Sequence, residues 1–378
     1  MDIKYAAFYN DIIEHGLVSG KPVTGFFELT ARCNFQCKMC YVCGMEDHSS
    51  LLKKELTTEQ WIEMGRQAMN SGVLFLTLTG GEIFMRRDFW QIYEAYANMG
   101  FIITLYTNGS LLTDEMIAKL AKQPPLRVSI TLYGANPQTY GNVTGHPEGF
   151  DKVVTNISKL QAAGIDVHLK TTVIKYNRDA FDLTARLARS MDLGLSVVDY
   201  ISPRREGMGT DPLGNRLEPQ ELAQYLRDAN ADYKRLNAEN NKNETADPKD
   251  LVVDDVMSDE HIASTIPHAD LSLVEKTAFR CAAGKCTFWV TWEGKMLPCG
   301  LLTTLQSDAL SLGFENSFVE IKRKCREVPA CQTCENCSYY SNCQSCPARL
   351  KLESDDFAKP ADYLCEYVKA RDAVRASQ

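Results

Sequence analysis

The chain has 378 residues, of which 44% are hydrophobic and 24% charged, an ordinary composition for a folded globular protein. Its 41 basic and 49 acidic residues give a net charge of −8, which disfavours a general nucleic-acid binder. No apolar run is long enough to cross a membrane, and Met1-Asp2-Ile3-Lys4-Tyr5 does not open a signal peptide, so a cytoplasmic protein is expected.

Residues 1–22 precede the first strand as an N-terminal extension. Phe26 to Thr30 reads as a short buried strand, and Cys33-Asn34-Phe35-Gln36-Cys37-Lys38-Met39-Cys40 follows it directly. Thr57 to Asn70 reads as a helix capped by Thr57, with Glu59 and Gln60 in its first turn. Val73 to Leu78 is a β-rich run that ends at Gly80-Gly81. Arg87 to Met99 is helical, and the strand Phe101 to Tyr106 stops at Asn108-Gly109. Thr113 to Lys122 is the next helix, and Leu126 to Leu132 the fourth strand. Helix Phe150 to Ala163, strand Val167 to Ile174, helix Asp179 to Met191 and strand Leu195 to Ile201 complete the series.

Near-continuous apolar strands alternating with helices imply a buried parallel sheet. Six βα units are too few for an eight-stranded barrel, so the α/β chain is expected to form a partial (β/α)6 TIM-like barrel over residues 23–205. Its chemistry should sit at the C-terminal ends of the strands. Residues 206–272 read as a helix-and-loop connector, polar from Ala229 to Asp250. Residues 273–378 read as a small cysteine-rich domain, with a hairpin from Thr287 to Leu297 and a final helix from about Ala361.

The 14 cysteines fall into two groups, Cys33 to Cys43 and Cys281 to Cys365. In a reducing compartment such clusters indicate metal or catalysis rather than disulfides. The CxxxCxxC loop places three thiolates at the top of the barrel, enough for three irons of a [4Fe–4S] cluster with the fourth open. A zinc loop completed by Cys43 is the rival reading.

This loop resembles the signature of the radical SAM superfamily. The resemblance implies that Cys33, Cys37 and Cys40 hold the cluster. The open iron would chelate S-adenosylmethionine, which is cleaved reductively to a 5′-deoxyadenosyl radical. It also implies cofactor contacts: Met39 near adenine, Gly80-Gly81-Glu82 at the methionine amino group, Asn108 of a TNG turn, and Ser129 and Thr131 near the ribose. Asn142 stands where the family often has an arginine, and Lys170 is the candidate to replace that charge.

The second group resembles the SPASM extension of this superfamily. It runs C-x12-G-x4-C from Cys281 through Gly294 to Cys299 and C-x2-C-x5-C-x2-C from Cys334 to Cys346, and then reaches Cys365, with one spacing a residue short between Cys343 and Cys346. The resemblance implies two auxiliary [4Fe–4S] clusters, hence three in all. Cys281, Cys286, Cys299 and Cys346 would hold the first, and Cys334, Cys337, Cys343 and Cys365 the second, leaving over Cys325 and Cys331. Without Cys286, an open iron would face the substrate instead. Zinc ribbons are the rival here as well.

SPASM enzymes most often modify ribosomally made peptides or proteins by crosslinking or oxidation, and this is the expected function. Oxidation of a small molecule such as an aminocyclitol is the alternative, and a structural zinc protein the non-enzyme alternative. Gly300 follows Cys299 where the sulfatase-maturing members carry an acid, which argues against that subgroup. The short extension leaves no room for a leader-binding domain, so a separate leader-peptide-binding protein is an expected partner beside an electron donor such as flavodoxin or ferredoxin. Asp199, Tyr200 and Arg204, near the sixth strand end, are the candidate substrate contacts.

Overall fold

In the computed structural model, residues 3–42, 47–205, 212–240, 274 and 276–376 are described. The six apolar runs form β1 (Thr24–Glu28), β2 (Phe75–Thr79), β3 (Ile102–Thr107), β4 (Arg127–Thr131), β5 (Val167–Thr172) and β6 (Leu195–Val198). Each pairs in parallel with the next. Alternation along each strand sorts the side chains. Phe27, Leu76, Leu78, Leu105 and Ile130 are buried in the main core. Phe26, Glu28, Tyr106, Ser129, Thr131 and Lys170 face the inside of the open barrel.

The helices are α1 (Ile3–Ser19), α2 (His48–Lys54), α3 (Thr58–Asn70), α4 (Phe89–Asn98), α5 (Asp114–Lys122), α6 (Pro137–Thr144), α7 (Gly149–Ala162), α8 (Phe181–Ser190) and α9 (Pro219–Asn240). In α3, Trp61, Met64, Gly65 and Ala68 recur at helical spacing and are buried. The Thr57 cap forms a full capping box: Gln60 N–H donates to Thr57 Oγ1, and Thr57 N–H donates to Gln60 Oε1. Gly65 is required by packing, since a Cβ there would stand 2.2 Å from the Tyr96 ring.

Two elements and one strand pairing were not legible from the sequence. The extension before β1 is helix α1, whose Ile13 and Leu17 pack against Val23 and Ala282. The stretch Thr139 to Gly145 is most of α6, stopped by Gly145 at φ +77°. The expected hairpin is present as β7 (Thr287–Val290) and β8 (Lys295–Leu297), but β7 also pairs in parallel with β1. One sheet therefore runs β6-β5-β4-β3-β2-β1-β7-β8-β9, with β9 at Ser307–Asp308.

Residues 219–240 of the expected connector are helical, and α9 packs on the last helix, Asp362–Ala376. The rest of the polar stretch to Asp250 lies outside the described residues, as does Cys43. No described helix is long and apolar enough to cross a membrane.

Candidate active site

The cysteine loop leaves the end of β1 and is held by the neighbouring strand ends. Gly81 N–H donates to Thr30 O and Glu82 N–H to Arg32 O, both at 2.8 Å. A Cβ on Gly80 would stand 2.4 Å from Thr30 O, and one on Gly81 2.4 Å from Arg32 O. The glycines thus allow one loop backbone to lie against another. Gly80 also has φ +154°, which L side chains rarely adopt.

Glu82 is fully buried and does not line the cavity. It accepts from Thr107 Oγ1 at 2.7 Å, from Asn108 N at 2.7 Å and from Phe84 N at 3.1 Å. Burial raises its pKa, while these three donors act the other way. Glu82 therefore fixes the turn after β3. Asn108 of that turn donates to Asn34 Oδ1 at 2.9 Å and lies 3.9 Å from Cys33 Sγ. On the far side, Gln36 N–H donates to Thr144 O and Lys38 N–H to Val143 O, at 3.1 and 3.0 Å. Below the loop, Arg32 and Arg86 both pair with the buried Glu55.

The three cysteines of the loop line one cavity of about 890 Å³. Burial raises the Cys37 thiol well above its ordinary value, and Cys40 and Cys33 raise it further. Tyr133 hydrogen-bonds Cys37 and opposes the shift. Three thiols of one loop in a cavity wall suit three irons of a four-iron cluster. Met39 is buried beside Val143, Ile174 and Ile201 in the same wall.

Ser129 and Thr131 line the cavity, and Ser129 Oγ is buried with no hydrogen-bond partner. Lys170 lines it too, donating to Tyr106 Oη at 3.1 Å. Asn142 is exposed on α6, accepts from Gln138 and is absent from the cavity wall. Of the two candidates for the family's arginine role, only Lys170 reaches the cavity.

The opposite wall carries Cys281, Cys299, Cys343 and Cys346. Burial pushes the Cys299 thiol up to about 11, with Cys346 adding to the rise. A second gathering lies behind them. Burial pushes Cys334 up to about 12, helped by Cys331, Cys365 and Cys343. Cys365 is raised by burial first, then by Cys343 and, more weakly, Cys337. Cys331 thus joins a set that spacing alone left at four. Cys286 is not brought to Cys299. It is fully buried against Ile13, Leu17 and Val23. Burial pushes its thiol up to about 12, and the charges acting on it are Lys285 and Lys322.

Asp199 and Tyr200 line the cavity but are engaged with the C-terminal region. Asp199 accepts from Tyr367 Oη at 2.9 Å and Gln344 Nε2 at 3.2 Å. Tyr200 donates to Glu353, and Arg349 lies 4.2 Å over its ring. Arg204 is exposed and does not line the cavity. The buried neighbour Arg205 pairs instead with Glu28 at 2.9 Å, and Trp289 Nε1 donates to the same carboxylate at 2.6 Å. Sequence reasoning missed this trio, although Glu28 in an apolar strand was a signal. Gly300 has a packing reason, since a Cβ there would stand 2.9 Å from the Trp289 ring.

Residues 27–188 match the radical SAM superfamily. The chain is 27% identical over 346 residues to an AdoMet-dependent heme synthase of Methanosarcina barkeri, covering 90% of this chain and 95% of that one. Its fold is similar to that of Streptococcus suis SuiB bound to S-adenosylmethionine, with TM-score 0.66, 16% identity and coverage of 92% of this chain and 77% of that one. It is equally similar to anSMEcpe with bound AdoMet, with TM-score 0.66, 16% identity and coverage of 94% and 97%. With the cysteine loop at the end of β1 and the match running from β1 to α8, residues 27–188 form a radical SAM domain.

Proposed function

We propose that this radical SAM enzyme abstracts a hydrogen atom from a peptide or protein side chain, leading to crosslinking, oxidation or epimerisation. The observation that carries the reading is the single cavity, walled on one side by Cys33, Cys37 and Cys40 and on the other by Cys281, Cys299 and Cys346. The superfamily's cluster and S-adenosylmethionine supply a 5′-deoxyadenosyl radical when bound. In this reading Cys33, Cys37 and Cys40 hold that cluster, while Glu82 and Asn108 brace the loop. Ser129, Thr131 and Lys170 offer polar contacts to the nucleoside and carboxylate. The C-terminal cysteines hold auxiliary clusters that take up the electron, and a flavodoxin or ferredoxin supplies reducing equivalents. A peptide substrate is supported by the shared fold, since SuiB has also been crystallised with its precursor peptide SuiA.

A second reading, a small carboxylate-bearing substrate, is favoured by one observation. Arg227 and Lys234 of α9 line the cavity with Arg371 and Arg375 of the last helix, against two acids among the described residues of its wall, Glu28 and Asp199. Both acids are already hydrogen-bonded.

The test is anaerobic purification, reduction, addition of S-adenosylmethionine and mass-spectrometric measurement of 5′-deoxyadenosine, beside Cys37→Ala. Product from the wild type and none from the variant is expected. No product from either, with zinc in place of iron and sulfide, would overturn the reading. Substrate screens with acidic and neutral peptides then separate the two substrate classes.

A further inference from the structure

The SPASM resemblance implies that Cys281, Cys286, Cys299 and Cys346 hold one cluster, but the fold divides them. In the β7–β8 pair Trp289 stands opposite Leu297. Trp289 stacks on Phe26 inside the barrel at 4.7 Å. Phe288 packs against Phe314 at 4.8 Å and Phe27 at 6.0 Å. Cys286 lies in the turn just before β7, fully buried and outside the cavity wall.

Its surroundings agree. Cys286 Sγ lies 4.0 Å from Ile13 O of α1. A Cβ on Gly16 would stand 3.0 Å from Cys286 Cβ, so the glycine lets α1 lie directly on this cysteine. Val23 N–H donates to Cys286 O at 3.0 Å, which ties its backbone to the start of β1. A thiol turned to the cavity would give up this place against Ile13 and Gly16 of α1. Cys281, Cys299 and Cys346 all line the cavity, and Cys286 does not.

Resting on the cluster reading above, we infer that Cys281, Cys299 and Cys346 hold the first auxiliary cluster as a three-cysteine set, with the remaining iron open to the cavity for a soft anionic donor such as a thiolate. Cys286 is then a packing residue under α1. Cys325 is the competitor. It lies on the helix Phe314–Arg326, outside the cavity wall, with its Sγ 2.5 Å from where a Cβ on Gly284 would be.

The test uses the full chain with Cys33, Cys37 and Cys40 all changed to Ala, which removes the other open iron. After anaerobic reconstitution this background should hold about eight irons and eight sulfides per chain in two four-iron clusters. Adding Cys286→Ser should leave that content unchanged, and Cys281→Ser should lower it by about half. Cyanide, used as the soft anionic probe, should shift the EPR g-values of part of the reduced signal. Loss of about half the iron in Cys286→Ser, or a spectrum indifferent to cyanide, would overturn the inference. The same loss in Cys325→Ser would overturn it by naming the fourth ligand. Zinc without sulfide in the background would defeat the cluster reading itself, and 5′-deoxyadenosine from the unmodified chain reports separately on that reading.

Discussion

The two cysteine regions are built by opposite means. Cys33, Cys37 and Cys40 lie within one short loop, and that loop is bonded to the GGE turn, the Asn108 turn and the end of α6. Cys281 to Cys365 come from a turn, a hairpin end, short helices and the last helix, and only long-range packing brings them together. A local loop carries its ligand geometry in its spacing. A dispersed site depends on which face of each element looks inward, and spacing does not encode that. The contrast also predicts that damage to the first region removes the radical chemistry, whereas damage to the second leaves it uncoupled.

The largest effect should therefore come from Cys365→Ala. This thiol belongs to the rear set with Cys343 and Cys334. The variant should still form 5′-deoxyadenosine, because the loop of Cys33, Cys37 and Cys40 is untouched. Modified substrate should fall by at least about 100-fold, comparable to the loss of one essential group in other enzymes. Measuring both products in one reaction checks this. Parallel loss of 5′-deoxyadenosine would show that the two regions are one cooperative unit.

Arg205→Ala tests the structural join between the regions. Arg205 follows β6, Glu28 ends β1, and Trp289 on β7 shares the carboxylate. Removing one partner of a buried pair costs about 3–5 kcal/mol, because the remaining charge stays buried. Glu28 Oε1 already lacks a hydrogen-bond partner, which leaves the carboxylate the neutral Trp289 N–H in place of a charge. The denaturant midpoint should fall accordingly. A loss below about 1 kcal/mol would mean that water or a cation replaces the guanidinium.

Glu82→Gln probes the first region through pH. Burial raises the Glu82 pKa above its ordinary 4.5. An acid that is harder to ionise when folded favours the fold while protonated. Its contribution is complete below the unfolded value and is lost as pH rises through the raised folded value. In thermal melts across that window the wild type should lose stability with rising pH relative to Glu82→Gln, which cannot titrate. Parallel curves would show that Thr107, Asn108 and Phe84 keep the carboxylate ionised throughout.

Much of this was legible because it is local. The strand alternation, the Thr57 cap and the cysteine loop each depend on residues a few positions apart. The pairing of β7 with β1 joins residues far apart in sequence, and no periodicity within either strand announces it. The bracing roles of Glu82 and of the two glycines, which also line the cavity, were not legible for a related reason. Their motif suggests ligand contact, but Gly80 and Gly81 have their missing Cβ positions filled by the cysteine-loop backbone, and Glu82 spends its oxygens on the Asn108 turn. Arg204 and Arg205 show the limit most simply, since adjacent arginines differ in fate by which one points inward.

Lys170 and Asn142 give the smallest and most discriminating pair. Asn142 stands where the family often has an arginine, and Lys170 was the candidate for the missing charge; only Lys170 stands in the cavity wall, 4.7 Å over the Tyr106 ring. A charge-assisted hydrogen bond to a carboxylate contributes about 1.5–3 kcal/mol, so Lys170→Met should weaken S-adenosylmethionine binding roughly 10- to 100-fold. Asn142→Ala removes an exposed amide that meets Gln138 on its own helix, and it should change binding less than twofold. Equilibrium binding to the reconstituted chain measures both without turnover. Equal losses would mean that α6 moves Asn142 to the cofactor on binding. No loss from Lys170→Met would leave the carboxylate to backbone donors of the Asn108 and Gly80 turns, and would make Lys170 a strut for Tyr106.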